Sequence, residues 1–375
     1  MARPVPAGQA VRRLQAALPA LALACALHAC EHSGPGSATD TGDVGPRGDA
    51  LPRRLTFYEG DDVTPSVTGA SLVFSRQSAA EPSNYDPLGR GREACLAFLP
   101  VVGGTIQRQL CPDRLIALPD TFVDTWYEPA LSPDGSRLAF LWKRGPRLGA
   151  LAFHVAHLVV TAVDRPADTT QLRLGVHYLE AGDVPRRANI PTHISWVDDD
   201  RVRFLATFEH IVKVKGGGSE RVTDTLELPL ALMELDVSAG TANVVPGGDS
   251  VVAYAPAPDG AVWVVRERDP SLVLRLDPVS GTRTPVGQLP SAASDIATVG
   301  GVLLAIVGSG GTIVGMDPGS GVVFPIVVFA AFPPLAGSGP ARRLAAAGGR
   351  RFVVQIDREV LPWGSPADLW LWEIR

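Results

Sequence analysis

Lysine is almost missing from this 375-residue sequence. Lys143, Lys213 and Lys215 are the three, arginine supplies the rest of the 34 basic residues, and 39 acidic residues leave a net charge of −5. A nucleic-acid-binding face needs a dense basic patch, so that class is excluded as a partner. Charged residues are only 19% of the chain and aromatics 6%, while 46% are hydrophobic, too apolar a balance for disorder throughout. Cys-x-x-Cys is absent, and Gly308-Ser-Gly-Gly311 is neither a phosphate loop nor a nucleophile elbow. What the chain has in excess is turn formers, with 39 Gly and 33 Pro and no Gly-X-Y period. That combination points to an all-β fold dense in turns.

The first residues read as an export signal. Arg3, Arg12 and Arg13 precede an apolar stretch, Leu14 to Leu27, that is broken by Pro19 and too short to span a bilayer as a helix. It ends in Leu27-His28-Ala29-Cys30, which resembles the bacterial lipobox. Residues 1–29 are then a lipoprotein signal peptide and Cys30 the lipidated mature N-terminus, leaving 31 basic against 39 acidic residues, formally −8. Residues 30–51 hold little that could be buried and form a flexible tether, spanning roughly 25 Å on average. Glu31, where an inner-membrane retention signal has Asp, directs the expectation to the outer membrane, periplasmic or surface facing. Membrane contact is expected through the lipid only.

Beyond Cys25 and Cys30, Cys95 and Cys111 remain, and an exported chain oxidises such a pair. A hairpin folded about Gly103 sets the two cysteines opposite each other on adjacent antiparallel strands. A structural disulfide follows, not a metal site.

From residue 52 to 375 the sequence repeats itself. Asp236-Val-Ser-Ala-Gly240, Asp277-Pro-Val-Ser-Gly281 and Asp317-Pro-Gly-Ser-Gly321 recur at spacings of 41 and 40. Ser132-Pro-Asp-Gly-Ser-Arg-Leu-Ala-Phe140 returns in Ala257-Pro-Asp-Gly-Ala-Val-Trp-Val-Val265 and more loosely after His193: a short strand, a Pro-Asp-Gly turn, then a buried strand. Tyr127-Glu-Pro-Ala-Leu-Ser-Pro-Asp-Gly-Ser-Arg-Leu-Ala-Phe140, with Arg53-Arg-Leu-Thr56 leading to Val63-Thr-Pro65, resembles the TolB-type, WD40-like (PD40) β-propeller family. The resemblance implies an all-β β-propeller, and laying four strands per blade through the chain gives a six-bladed β-propeller with blades beginning near Val63, Glu128, Thr192, Val251, Ser294 and Ala341. An N-terminal strand, Arg53 to Phe57, is expected to close it by pairing with the C-terminal blade.

In that architecture the long connections, 77–93, 112–126, 175–191, 209–223, 329–339 and 358–367, share one face. They carry the candidate binding residues Tyr85, Arg90, Arg92, Trp126, Tyr127, His177, Tyr178, Arg186, Arg187 and Trp363, aromatic and Arg side chains of the kind used in recognition. Chemistry is sparse. His154 and His157 lie on opposite faces of one strand, and His177, His193 and His210 lack a partner at fixed spacing. The inner-strand acids are Glu128 and Asp295. The expected function is a lipid-anchored, monomeric binding module for an envelope protein, peptide or glycan, with no catalytic residue, metal or cofactor. The alternative is a metal-dependent, lactonase-like hydrolase of the six-bladed type.

Overall fold

The Asp-Gly repeat is a turn built the same way each time. Asp236 accepts hydrogen bonds from Ser238 Oγ (2.7 Å) and Ala239 N (2.9 Å), Asp277 from Val279 N (2.9 Å) and Ser280 Oγ (2.8 Å), and Asp317 from Gly319 N (2.9 Å) and Ser320 Oγ (2.7 Å). The glycine four residues on then sends its N–H back to the aspartate carbonyl, from a positive φ of 64° to 72° that glycine tolerates. Such turns make tight antiparallel hairpins, and the chain is a succession of them.

The computed structural model describes residues 51–58, 60–77, 94–112, 122–146, 152–164, 169–179, 192–206, 210–211, 225–226, 230–331, 335, 338–358 and 366–374. Strand β1 is Arg53–Arg54. β2 (Asp61–Thr68), β3 (Ser71–Gln77), β4 (Ala94–Pro100) and β5 (Arg108–Leu110) form an antiparallel meander, as do β6 (Phe122–Leu131), β7 (Arg137–Pro146), β8 (Ala152–Ala162) and β9 (Thr169–Leu179). One parallel bridge, Ala94 to Thr125, joins the two into an eight-stranded sheet. A four-stranded sheet follows, formed by β10 (Thr192–Trp196), β11 (Arg201–Ala206), β14 (Ala231–Asp236) and β15 (Thr241–Asp249). The short pair β12 (His210–Ile211) and β13 (Thr225–Leu226) is inserted within it.

Next come β16 (Val251–Pro256), β17 (Val262–Arg266), β18 (Asp269–Leu276) and β19 (Arg283–Gln288). After them lie β20 (Ala293–Val299), β21 (Val302–Val307), β22 (Thr312–Met316) and β23 (Val323–Val328). Finally β24 (Ala341–Ala346), β25 (Arg351–Asp357) and β26 (Ala367–Glu373) take β1 as a fourth strand, Arg53 opposite Leu371 and Arg54 opposite Trp370. Leu55 N and Thr56 Oγ1 extend this pairing to Leu369.

The chain is therefore all-β in a β-propeller arrangement: successive antiparallel sheets, each packing a face of apolar side chains on the next. Alternate residues of a strand face opposite sides, so a sheet between two neighbours must be apolar on both. Leu303 and Ala305 accordingly pack with Trp263 and Val265 of the preceding sheet, while Leu304 and Ile306 pack with Phe352 and Val354 of the following one. At the outer strands the sheets approach through paired glycines. A Cβ on Gly247 would lie 2.5 Å from the carbonyl oxygen of Gly281, and one on Gly287 would lie 3.0 Å from that of Gly321, so this contact repeats with the same period of 40.

Cys95 and Cys111 form the expected disulfide. Leu96 stands opposite Leu110, Ala97 opposite Gln109 and Phe98 opposite Arg108, the register set by folding about Gly103. Among the described residues no helix is long and apolar enough to cross a membrane.

Candidate functional site

Six strands, β2, β6, β10, β16, β20 and β24, each carry a bulge. The register breaks between Val63 and Ser66, Tyr127 and Ala130, Thr192 and Ser195, Val251 and Ala253, Ala293 and Asp295, and Ala341 and Arg343. A bulge leaves residues unpaired and re-aims their side chains. In β2, β6 and β10 the re-aimed residue is Thr64, Glu128 or His193, with φ of 53°, 49° and 57°. Non-glycine residues held there cost about 1–3 kcal/mol each, and such strain concentrates where a structure fixes a functional geometry.

These strained residues hold one another in series. Gln355 Oε1 on β25 accepts from Thr64 N (2.9 Å), Thr64 Oγ1 accepts from Glu128 N (3.2 Å), and Glu128 Oε2 accepts from His193 N (3.3 Å). Side chains from one strand thus satisfy the N–H that the bulge of the next leaves without a ladder partner.

A cation sits among them. Arg343, on β24, donates from Nη2 to Glu128 Oε1 at 2.6 Å, and its Nη1 lies 2.9 Å from His193 Nδ1 and 2.5 Å from Nε2. His193 Nε2 is in turn 2.6 Å from Asp295 Oδ1 on β20. Asp295, 1% exposed, also accepts from Ile296 N (2.9 Å) and from Leu344 N (2.7 Å). Burial works against the Arg343 charge, but Glu128 and Asp295 outweigh it and hold the guanidinium above its ordinary pKa. Behind His193 the buried Tyr254 hydroxyl contacts the carbonyls of His193 and Arg203, the latter at 2.8 Å, and pairs with Ser195 Oγ at 2.8 Å. Burial pushes its pKa up, so this phenol is a fixed strut and not a proton carrier.

This arrangement decides whether a metal fits. A divalent cation needs carboxylate oxygens or imidazole nitrogens left open to it. Both Glu128 oxygens and both Asp295 oxygens already accept from protein donors, and the position they surround is taken by Arg343. Among the described residues no group of three or more His, Cys, Asp or Glu is placed to hold a metal. The residues do not fit one.

Beside this network lies an open pocket of about 440 Å³ lined by Val63, Thr64, Arg342, Arg343, Gln355 and Asp357. Arg342 Nε donates to Asp357 Oδ2 at 2.9 Å. Burial pushes the Asp357 carboxyl above its usual range, with Arg342 pulling it back and Asp61 adding to the rise.

The structure brings Glu128, Asp295 and His193 together, whereas spacing had left them isolated. Arg342, Arg343, Thr64 and Gln355 were not singled out from the sequence. Trp126 and Tyr127, expected on a loop, lie within β6 instead. Trp126 packs on Phe140 with ring centroids 4.8 Å apart, and the Trp126 and Tyr127 side chains are half-buried against core clusters. His177 and Tyr178, also expected on a loop, belong to β9, and His210 to β12. His154 and His157 share β8, as expected. Cys30, Tyr85, Arg90, Arg92, Arg186, Arg187 and Trp363 lie outside the described residues.

No family model matches the chain, and no curated protein matches it. Solved structures do. It is similar to regucalcin, a calcium-binding protein from Agrobacterium tumefaciens, at 12% identity over 86% of this chain and 94% of that one, with a TM-score of 0.48. A gluconolactonase from Xanthomonas campestris matches at 13% identity over 88% and 98%, TM-score 0.43. The PQQ-bound aldose sugar dehydrogenase from Streptomyces coelicolor matches at 13% over 88% and 99%, TM-score 0.44. At such identities and scores none of their activities is carried to this chain.

Proposed function

We propose that this chain is a lipid-anchored, six-bladed propeller of the TolB-like kind that works as a binding module in a bacterial cell envelope. It takes its ligand, an envelope protein, peptide or glycan, at the pocket beside Arg343. Six blades are supported by the six bulged first strands, each beginning a run of antiparallel strands, and closure by the pairing of β1 with β26. Export and anchoring to the outer membrane through Cys30 are supported by the lipobox-like Leu27-His28-Ala29-Cys30 behind a basic segment. The observation that carries binding over metal-dependent hydrolysis is Arg343, an internal cation where that alternative needs a metal. The test is capture from envelope extract by the immobilised chain, comparing wild type with variants lining the pocket. Equal recovery of every partner by wild type and by Arg342→Gln would sink the assignment of the pocket. Failure of Cys30→Ser to release the protein from membranes would sink the anchor.

A further inference from the structure

Two donors of the pocket, on Gln355 and Arg342, have no protein acceptor among the described residues, beside the acid Asp357. Gln355 is 6% exposed, its Oε1 is committed to Thr64 N, and among the described residues nothing accepts from its Nε2. That amide N–H is left to donate to whatever occupies the pocket that Gln355 lines. Arg342 stands beside it. Its Nε is held by Asp357, which fixes the guanidinium, and among the described residues its two terminal nitrogens have no acceptor. A guanidinium anchored on one nitrogen with two left over is a planar fork, the geometry that matches a carboxylate. Arg343 stands on the same wall, with its charge already matched by Glu128.

We propose that this pocket binds a carboxylate, its two oxygens taken by the terminal nitrogens of Arg342 and by Gln355 Nε2. The inference deepens the binding-module reading and rests on it: the ligand presents an acid group to the wall formed by β24 and β25. A peptide C-terminus or a small free acid would supply the same chemistry.

The experiment is a calorimetric titration of the mature chain with N-acetyl-dialanine as the free acid, the same compound as its C-terminal amide, and lactate. The acid should bind and the amide should not, and whichever of N-acetyl-dialanine and lactate binds tighter identifies the source. Gln355→Glu keeps an oxygen for Thr64 N while replacing the donor with a carboxylate, and should abolish binding. Arg342→Lys keeps a positive charge beside Asp357 but loses the fork, so affinity should fall roughly tenfold with melting unchanged. Acid and amide binding alike, no binding of either acid, or full affinity in Arg342→Lys would each overturn the proposal. If the acids fail while wild type still captures an envelope partner that Arg342→Gln does not, the binding reading stands and the carboxylate falls.

Discussion

Replacing Arg343 by methionine keeps most of its volume and removes its charge, which makes it the sharpest probe of the network. In the wild type that charge faces Glu128 at 2.6 Å and lies against His193, itself bonded to Asp295, with Arg343 and Glu128 18% and 11% exposed. Taking one partner out of a buried ion cluster costs about 3–5 kcal/mol, because the remaining charge loses its compensation without regaining water. The residual exposure places Arg343→Met at the lower end, about 3 kcal/mol. At roughly 2–4 °C per kcal/mol for a large domain, the melting temperature should fall on the order of 10 °C. The assay is a double-mutant cycle by urea unfolding with Arg343→Met, Glu128→Gln and both. Since Glu128→Gln removes the charge that Arg343→Met strands, the second change should cost less in the presence of the first, with a coupling of about 1–2 kcal/mol. Additivity within about 0.5 kcal/mol would refute a network centred on this pair.

Gly247→Ala should cost about 3 kcal/mol, since its Cβ would meet the Gly281 oxygen and the residue would also be held at φ 69°. Gly135→Ala, with nothing within reach and only a φ of 74° to strain it, should cost about 1 kcal/mol, and equal losses in urea melts would contradict the close-approach argument. Replacing both Cys95 and Cys111 by serine should lower stability by about 3 kcal/mol, and an unchanged urea midpoint would refute a structural role. The turn carboxyls set an acid limit. Asp134 is held at about 2, chiefly by Ser132 and Ser136, and Asp236, Asp277 and Asp317 are lowered by Ser238, by Val279 N–H and by Ser320 respectively. A depressed folded value stabilises above the unfolded one and is lost as pH falls, so stability should drop between about pH 4 and pH 2. Asp357 and Asp368, raised by burial, work the other way, losing stability as pH rises through their folded values. A melting temperature that stays level from pH 4 to pH 2 would remove the turn argument.

Turns and strands were legible because their causes are local. An aspartate accepts from its own next residues and a glycine adopts a positive φ wherever the chain places them, so Asp277-Pro-Val-Ser-Gly281 announces a hairpin without help from the fold. The disulfide was legible for a related reason, that hairpin register is arithmetic. β6 was read as starting too late, since the repeat resembles its family only from Tyr127 onward, whereas the strand begins at Phe122. The site was the least legible part. Its members are 102 residues apart for His193 and Asp295 and 215 apart for Glu128 and Arg343, and no spacing rule reaches so far. Nothing local marks Arg342-Arg343, yet the bulge in β24 sends the two guanidiniums to different partners, Asp357 and Glu128.

The central claim is that a guanidinium of the chain itself serves as the cation among Glu128, His193 and Asp295. Elemental analysis of the purified chain, dialysed against calcium and zinc and then against metal-free buffer, tests it most directly. The account predicts no stoichiometric metal. One tightly held calcium or zinc per chain, lost on Glu128→Gln, would contradict it.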